Sequence, residues 1–265
     1  MNHKIKDLLT EGKGLFLALD QGLEHGSKDF NLKTIDVKYI LNIAVKGEYN
    51  GVILQKGLAE HYIDHYRFKI PLILKVNGKT SLTQNEPYAP QVCSIGKAVE
   101  LKAKAIGYTI YLGSAHEHIM LKEFSRIQEE AHEYGLPVIA WIYPRGTFIQ
   151  DEKNTDVLAY AARVGQELGA DFVKIKYNHD PEGFTWIVKC AGETKVLVAG
   201  GEKTTVEKLL KEVDEVMKCG ANGLAIGRNV WQHEKPLAVT NALKAIIFGR
   251  KKVESALKLL KGKNV

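Results

Sequence analysis

The chain has 265 residues, 45% hydrophobic and 26% charged, the balance of an ordinary globular protein with room for one large core or two small ones. No apolar run approaches the roughly 18 residues needed to cross a bilayer, and the opening MNHKIKDLLTEGKG lacks the apolar core and cleavage site of a signal peptide, so a cytoplasmic location away from any membrane is expected. A formal charge of +6 would suit nucleic acid, but Lys and Arg are spread without long basic blocks or aromatic interleaving, and the charge fits a small, strongly anionic substrate equally well. Cys93, Cys190 and Cys219 are odd in number and form no C-x-x-C pattern, which suits a reducing compartment and core positions.

In chain order, short β-branched or apolar runs occur at LFLAL (15 to 19), GVILQ (51 to 55), PLILKV (71 to 76), AIGYTI (105 to 110), PVIAWI (137 to 142), FVKIK (172 to 176), KVLVA (195 to 199) and GLAIG (223 to 227), with helix-period segments between most of them. Four phrases, VKGEYNGVILQ, EYGLPVIAWI, ELGADFVKIK and KCGANGLAIG, put a glycine between helical and strand-like sequence. Glycine just past a helix end takes the left-handed conformation that stops the helix, so each phrase reads as an αβ joint. Helices are predicted over 117 to 134 and 157 to 168, and Thr204 with Glu207 reads as a capping box for the helix after GGEK. The helical pattern is weakest over 57 to 66. The last stretch, about 236 to 262, reads as an amphipathic tail that supplies a barrel helix, an extra helix or a subunit contact. Eight βα repeats with no Pro/Ser/Gly linker predict a single-domain α/β protein over 1 to 265, a closed (β/α)₈ TIM barrel; a doubly wound sheet usually has five or six strands.

In such barrels the chemistry collects at the C-terminal strand ends, and side chains alternate between the interior and the helix layer. On the sixth run, Val173 and Ile175 suit the outer helices, which turns Lys174 and Lys176 toward the mouth, roughly 6.6 Å apart along the strand. The same count sends Trp141 and Tyr143 inward on the fifth run, Lys75 with Asn77 on the third, and Asp20 above Ala18 on the first. A bland alternative has one lysine pairing with Asp20 while the other reaches solvent.

A lysine near other cations and partly withdrawn from water loses proton affinity. The neutral amine adds to a carbonyl, and the protonated imine that follows is an electron sink for making or breaking a neighbouring carbon–carbon bond. Tyr143 is then placed to move the proton of the hydroxyl released or captured. The last two runs supply an anion site: Gly200 and Gly201 offer backbone amides ahead of Lys203 and a helix N-terminus, and Gly227, Arg228 and Asn229 follow the eighth run.

DQGLEHG (20 to 26), LKVNGKT (74 to 80), GYTIYLGS (107 to 114), WIYPRG (141 to 146), KIKY (174 to 177), GGEKT (200 to 204) and IGRNVWQ (226 to 232) resemble, in order and spacing over nearly the whole chain, the archaeal-type class I fructose-1,6-bisphosphate aldolases. The resemblance implies a (β/α)₈ barrel and a Schiff-base mechanism without metal or other cofactor. It also implies reversible cleavage of a phosphorylated sugar, fructose 1,6-bisphosphate, to dihydroxyacetone phosphate and glyceraldehyde 3-phosphate, and ring-based homo-oligomers such as decamers. It assigns the imine to Lys174 and proton transfer to Tyr143. Asp20, His25 and Trp141 then shape and polarise the site, with Gly201, Lys203 and Arg228 near the phosphate. Gln21 and Ala199 depart from the pattern, where histidine and serine are expected, at positions that would meet sugar hydroxyls or phosphate oxygens.

Relatives with this barrel act on other keto-phosphates, in aminodideoxyheptulosonate synthesis and in signal-molecule breakdown, so those substrates stay open. Outside the lyases, a phosphate-binding barrel isomerase would have no use for paired lysines on the sixth strand. His61 and His65 have i,i+4 spacing that could in principle bind zinc. However, they fall in the helix after the second strand without a third ligand, and His116 and His118 lie elsewhere.

Overall fold

The eight runs become eight parallel strands in the computed structural model, which describes residues 3–66 and 68–260. They are β1 (Gly14–Leu19), β2 (Gly51–Gln55), β3 (Leu72–Lys75), β4 (Ala105–Leu112), β5 (Val138–Pro144), β6 (Phe172–Ile175), β7 (Lys195–Ala199) and β8 (Gly223–Ile226). Each pairs with the next in chain order, and β8 closes on β1 through pairs such as Leu17 with Ile226. Helices α1 (Gly22–His25) and α2 (Val37–Lys46) follow β1, and α3 (Lys56–Tyr62), α4 (Ile95–Glu100), α5 (Glu117–Glu133), α6 (Thr155–Glu167), α7 (Pro181–Cys190) and α8 (Val206–Lys218) connect the later strands. After β8 come α9 (Arg228–Trp231), α10 (Pro236–Ile247) and α11 (Val253–Lys258). The fold is therefore the expected closed barrel.

Side-chain alternation divides the core in two. Ala140, Ile142, Val173 and Ile175 face the helices and join the large outer cluster, while Phe16, Ile53, Ile73, Ile139, Phe172 and Leu197 fill the barrel. Ile5 and Leu8, from a 3₁₀ turn at His3–Leu8, close the floor beneath Phe16. Phe16 meets Phe172 edge-on at 6.5 Å. Higher up, Trp141 lies across β4 so closely that a Cβ on Gly107 would sit 1.9 Å from its ring. That glycine exists to make room.

Three of the four αβ joints stop as expected, with Gly135, Gly169 and Gly220 at φ of 65°, 73° and 98°. The first does not: Gly47 has φ −81° and Glu48 takes the left-handed turn at 48°. A Cβ on Gly47 would strike the Ile43 carbonyl at 2.8 Å, so proximity rather than φ demands glycine there. The capping box shifts by one residue. Thr205, not Thr204, caps α8 through the Lys208 N–H, while the Thr204 N–H donates to Asn229 Oδ1.

The weak segment at 57 to 66 is α3 followed by a 3₁₀ turn at Ile63–His65, on which His61 and His65 are exposed. Among the described residues no group of three or more His, Cys, Asp or Glu is placed to hold a metal ion. The three cysteines are free, with Cys93 and Cys219 buried and Cys190 half-buried. The tail is two helices rather than one, broken at Phe248–Lys252, where Arg250 turns left-handed at φ 50°. α10 packs on β1 and α8 as the eighth outer helix and α11 is the extra one, while positions 261 and 262 of the expected tail lie outside the described residues. Among the described residues no helix is long and apolar enough to cross a membrane.

Candidate active site

At the C-terminal ends of the strands a cavity of about 860 Å³ opens over the barrel core. Its floor is built from Trp141 on β5, with Lys174 of β6 and Lys75 of β3 held over the indole, their Nζ atoms 5.0 and 5.5 Å from the ring centroid. Both lysines are almost wholly buried, at 6% and 5% exposure. Lys75 Nζ donates to the Asn77 carbonyl at 3.1 Å. The Nζ of Lys174 makes no hydrogen bond with any described residue, which leaves it available to attack.

Burial is the main cause that lowers the proton affinity of Lys174, and the Asp20 carboxylate opposes it. Burial likewise pushes Lys75 down to about 8, with Asp20 and Glu24 opposing and Lys174 assisting. Two buried amines thus share the field of one nearby aspartate, and burial shifts both toward the neutral form that can add to a carbonyl. Lys176 is not the neighbour that perturbs Lys174. It lies just past the end of β6, half-buried, with its ammonium ion-paired to Glu152. Glu152 also takes Arg145 Nε at 3.0 Å; burial works against its ionisation, but the two cations hold its carboxyl below the usual range.

Tyr143 follows Trp141 by two residues on β5, so its half-buried ring also lines the cavity, with Lys176 Nζ 5.9 Å from its centroid. Its hydroxyl bonds to no described residue. Burial, reinforced by Asp20, raises its pKa well above the ordinary value, so the phenol is neutral in the free protein.

At the β7–β8 end the anion site differs from expectation in one donor. The Gly200 N–H belongs to the strand ladder, bonded to the Ala225 carbonyl, and the Gly200 carbonyl accepts from Asn229 Nδ2. The amides of Gly201, Glu202 and Lys203 have no partner among the described residues and sit on the exposed loop above the cavity. Gly201 is left-handed at φ 64° with open space where a Cβ would point, so its conformation is what requires glycine. Asn229 holds this loop, donating to Gly200 and Glu202 and accepting from Thr204. Gly227 is required for contact: a Cβ would lie 2.7 Å from the Ala18 carbonyl. Arg228 reaches the cavity with Nη1 3.2 Å from Asp29 Oδ1, and His25 Nδ1 lies 2.6 Å from the other oxygen of that carboxylate.

The cavity therefore gathers Asp20, Lys75, Trp141, Tyr143, Lys174 and Lys176 with Gly201, Lys203, Gly227 and Arg228, as parity and loop position led one to expect, and His25, which only the resemblance implied. Asn77 departs from the count: it is fully buried and bonds the Ala89 and Thr109 backbone, bracing the β3–β4 connection. Tyr111, Glu24, Arg145 and Gln55 line the cavity without having been singled out. Tyr111 was recoverable, because β4 runs on to Leu112 and the same alternation turns it inward. Glu152 and Asp29 sit in aperiodic loops and gave no signal.

Comparison with known proteins places this geometry in context. Residues 15–233 match the DeoC/LacD family aldolases. The chain is 47% identical over 249 residues to "Fructose-bisphosphate aldolase class 1" of Thermoproteus tenax, covering 93% of this chain and 94% of the relative. It is 40% identical over 249 residues to the protein of the same name from Halobacterium salinarum, covering 93% and 95%. Among solved structures, an archaeal fructose-1,6-bisphosphate aldolase with its catalytic lysine covalently bound to the carbinolamine intermediate of its substrate aligns with TM-score 0.90 at 44% identity, over 94% of this chain and 99% of that one.

Proposed function

The chain belongs to the DeoC/LacD aldolases, and from that premise we propose that it is a class I fructose-1,6-bisphosphate aldolase in which Lys174 forms the Schiff base. The observation that carries the reading is a buried lysine with lowered proton affinity and an unbonded Nζ on β6, in the same cavity as a neutral tyrosine and a loop of unpaired amides. The phosphate on C1 of the ketose binds the Gly201–Lys203 amides, Lys203 and Arg228, which presents C2 to Lys174. Neutral Lys174 adds to C2, and the carbinolamine hydroxyl takes up a proton from solvent and leaves as water, giving a cationic iminium. That cation favours the phenolate of Tyr143 nearby, which accepts the C4 hydroxyl proton as the C3–C4 bond breaks. The bond pair enters the iminium as an enamine and glyceraldehyde 3-phosphate departs. Protonation at C3 and hydrolysis release dihydroxyacetone phosphate and restore the amine. In the condensing direction the neutral phenol delivers its proton to the aldehyde oxygen.

The test is direct: the protein converts fructose 1,6-bisphosphate to both triose phosphates in a coupled assay, at an undiminished rate in excess EDTA, since the iminium is the electron sink. Loss of turnover that zinc restores would sink the class I assignment.

The pH response separates the lysines. Lys75⁺ and Lys174⁺ repel, so Lys75→Met raises the proton affinity of Lys174, and the pH midpoint of borohydride trapping moves upward. Lys176→Met leaves that midpoint in place, because Glu152 already neutralises the charge removed. A shift with Lys176→Met and none with Lys75→Met would reverse the assignment.

The protein is further proposed to work in the cytoplasm as a homo-oligomer. Tyr160 on α6 and Trp186 on α7 support an assembled state, since they are 66% and 55% exposed on adjacent helices.

A further inference from the structure

Asp29 is not in the cavity wall, yet two residues that are, His25 on α1 and Arg228 on α9, are both held by its carboxylate. His25 Nδ1 lies 2.6 Å from Oδ2, and Arg228 Nη1 lies 3.2 Å from Oδ1. The Asp29 side chain is only 9% exposed. Burial works against its ionisation, but the hydrogen bonds and charges of His25 and Arg228 hold its carboxyl below the usual range. The segment is also fixed from behind, since Gln232 Nε2 donates to the Asp29 carbonyl at 2.6 Å and Phe30 stacks on Trp231 with ring centroids 5.4 Å apart. An ionised carboxylate can only accept, so the hydrogen it shares with His25 sits on Nδ1. In the neutral ring the lone pair is then on Nε2, which bonds to no described residue and is open rather than buried. One anion thus decides what two walls of the cavity offer, an acceptor from α1 and a cation from α9.

We propose that Asp29 is a positioning residue for substrate recognition: it fixes the His25 ring so that Nε2 accepts from a hydroxyl of the bound sugar phosphate, and it aims Arg228 at the phosphate. The inference rests on the aldolase reading and deepens it, because selection of a phosphorylated, hydroxyl-bearing ligand comes to depend on a residue outside the cavity wall. Asp29→Asn is the discriminating substitution. It keeps the shape and an oxygen for Arg228, but its NH₂ group faces His25 Nδ1, which must then accept, and the ring proton moves to Nε2. The substrate hydroxyl thereby loses its acceptor.

The test compares Asp29→Asn, Asp29→Ala, Arg228→Ala and the Asp29→Ala/Arg228→Ala double variant with the wild-type protein. The readouts are the nitrogen NMR shifts of the His25 ring in mild alkali, kcat/KM for fructose 1,6-bisphosphate, the half-saturating concentrations of dihydroxyacetone phosphate and of unphosphorylated dihydroxyacetone in borohydride trapping, and the melting temperature. The wild-type ring should carry its hydrogen on Nδ1 and the Asp29→Asn ring on Nε2. Asp29→Asn should also lower kcat/KM by about tenfold while melting close to the wild type, because Gln232 and Phe30 still hold the segment. Asp29→Ala should raise the half-saturating concentration of dihydroxyacetone phosphate by about tenfold and that of dihydroxyacetone by less than about threefold. In the Arg228→Ala background it should add less than about twofold for dihydroxyacetone phosphate, since its effect on the phosphate passes through the arginine. A wild-type hydrogen on Nε2, equal losses for the two ketones, additive losses in the double variant, or losses that merely follow a lowered melting temperature would each overturn the proposal. Wild-type protein that traps dihydroxyacetone phosphate but does not cleave fructose 1,6-bisphosphate would refute the substrate assignment alone, with the ring shifts and trapping still deciding the role of Asp29. Wild-type protein that traps neither ketone overturns both.

Discussion

Lys174→Met is expected to lower turnover by at least about 10⁴-fold and to eliminate covalent trapping of the ketose, because Lys75, the other buried amine over Trp141, is already engaged with the Asn77 carbonyl. Methionine keeps the length and apolar stem of a side chain that is 6% exposed and lies against Trp141, so the barrel should close as before. Stability gives an independent check. The folded protein holds Lys174 with its pKa below the ordinary lysine value, so in the window between the two values the unfolded chain binds more protons, and wild-type stability rises with pH. The cost of the buried ammonium is fully present below the folded pKa and is relieved as pH climbs toward 10.5, the ordinary value. The variant should therefore melt above the wild type at neutral pH, by a margin that narrows in alkali. A variant that keeps its turnover would move the chemistry to another residue.

Tyr143→Phe is expected to leave imine formation intact and to lower carbon–carbon cleavage by about 10²- to 10⁴-fold. The lysine acts first, and the tyrosine is needed only when the C4 hydroxyl proton moves. Phenylalanine preserves the ring in the cavity wall, and the lost hydroxyl has no bond to any described residue, so folding should be little affected. Borohydride with dihydroxyacetone phosphate should trap the variant as completely as the wild type, while release of triose phosphate nearly stops. Loss of trapping together with cleavage would place Tyr143 in carbinolamine chemistry instead.

Much of this site was legible because a β-strand has a period of two. Once Val173 and Ile175 were given to the helix layer, Lys174 had to face inward, and the same rule turned Trp141 and Tyr143 toward it from β5. What parity could not supply was pairing between distant loops. Arg228 and His25 share Asp29, and the partner of Lys176 is Glu152, although neither carboxylate lies in a periodic segment. That is why Lys176 looked like a cation acting on Lys174, when burial is what depresses it. The Gly-Gly pair after β7 was read as two amide donors, but the ladder to β8 extends one residue further and takes the Gly200 N–H. Gly107 resembled any strand glycine until the Trp141 ring was seen to fill the place of its side chain.

The central claim, that Lys174 is the residue that becomes covalently bound, is tested most directly by mapping the adduct. The protein is incubated with saturating dihydroxyacetone phosphate, reduced with borohydride, digested and sequenced by mass spectrometry. The account predicts one reduced triose phosphate per chain, on the peptide that contains FVKIKY and localised to Lys174 within it. An adduct on Lys176 or Lys75, or no adduct on any lysine, would contradict it.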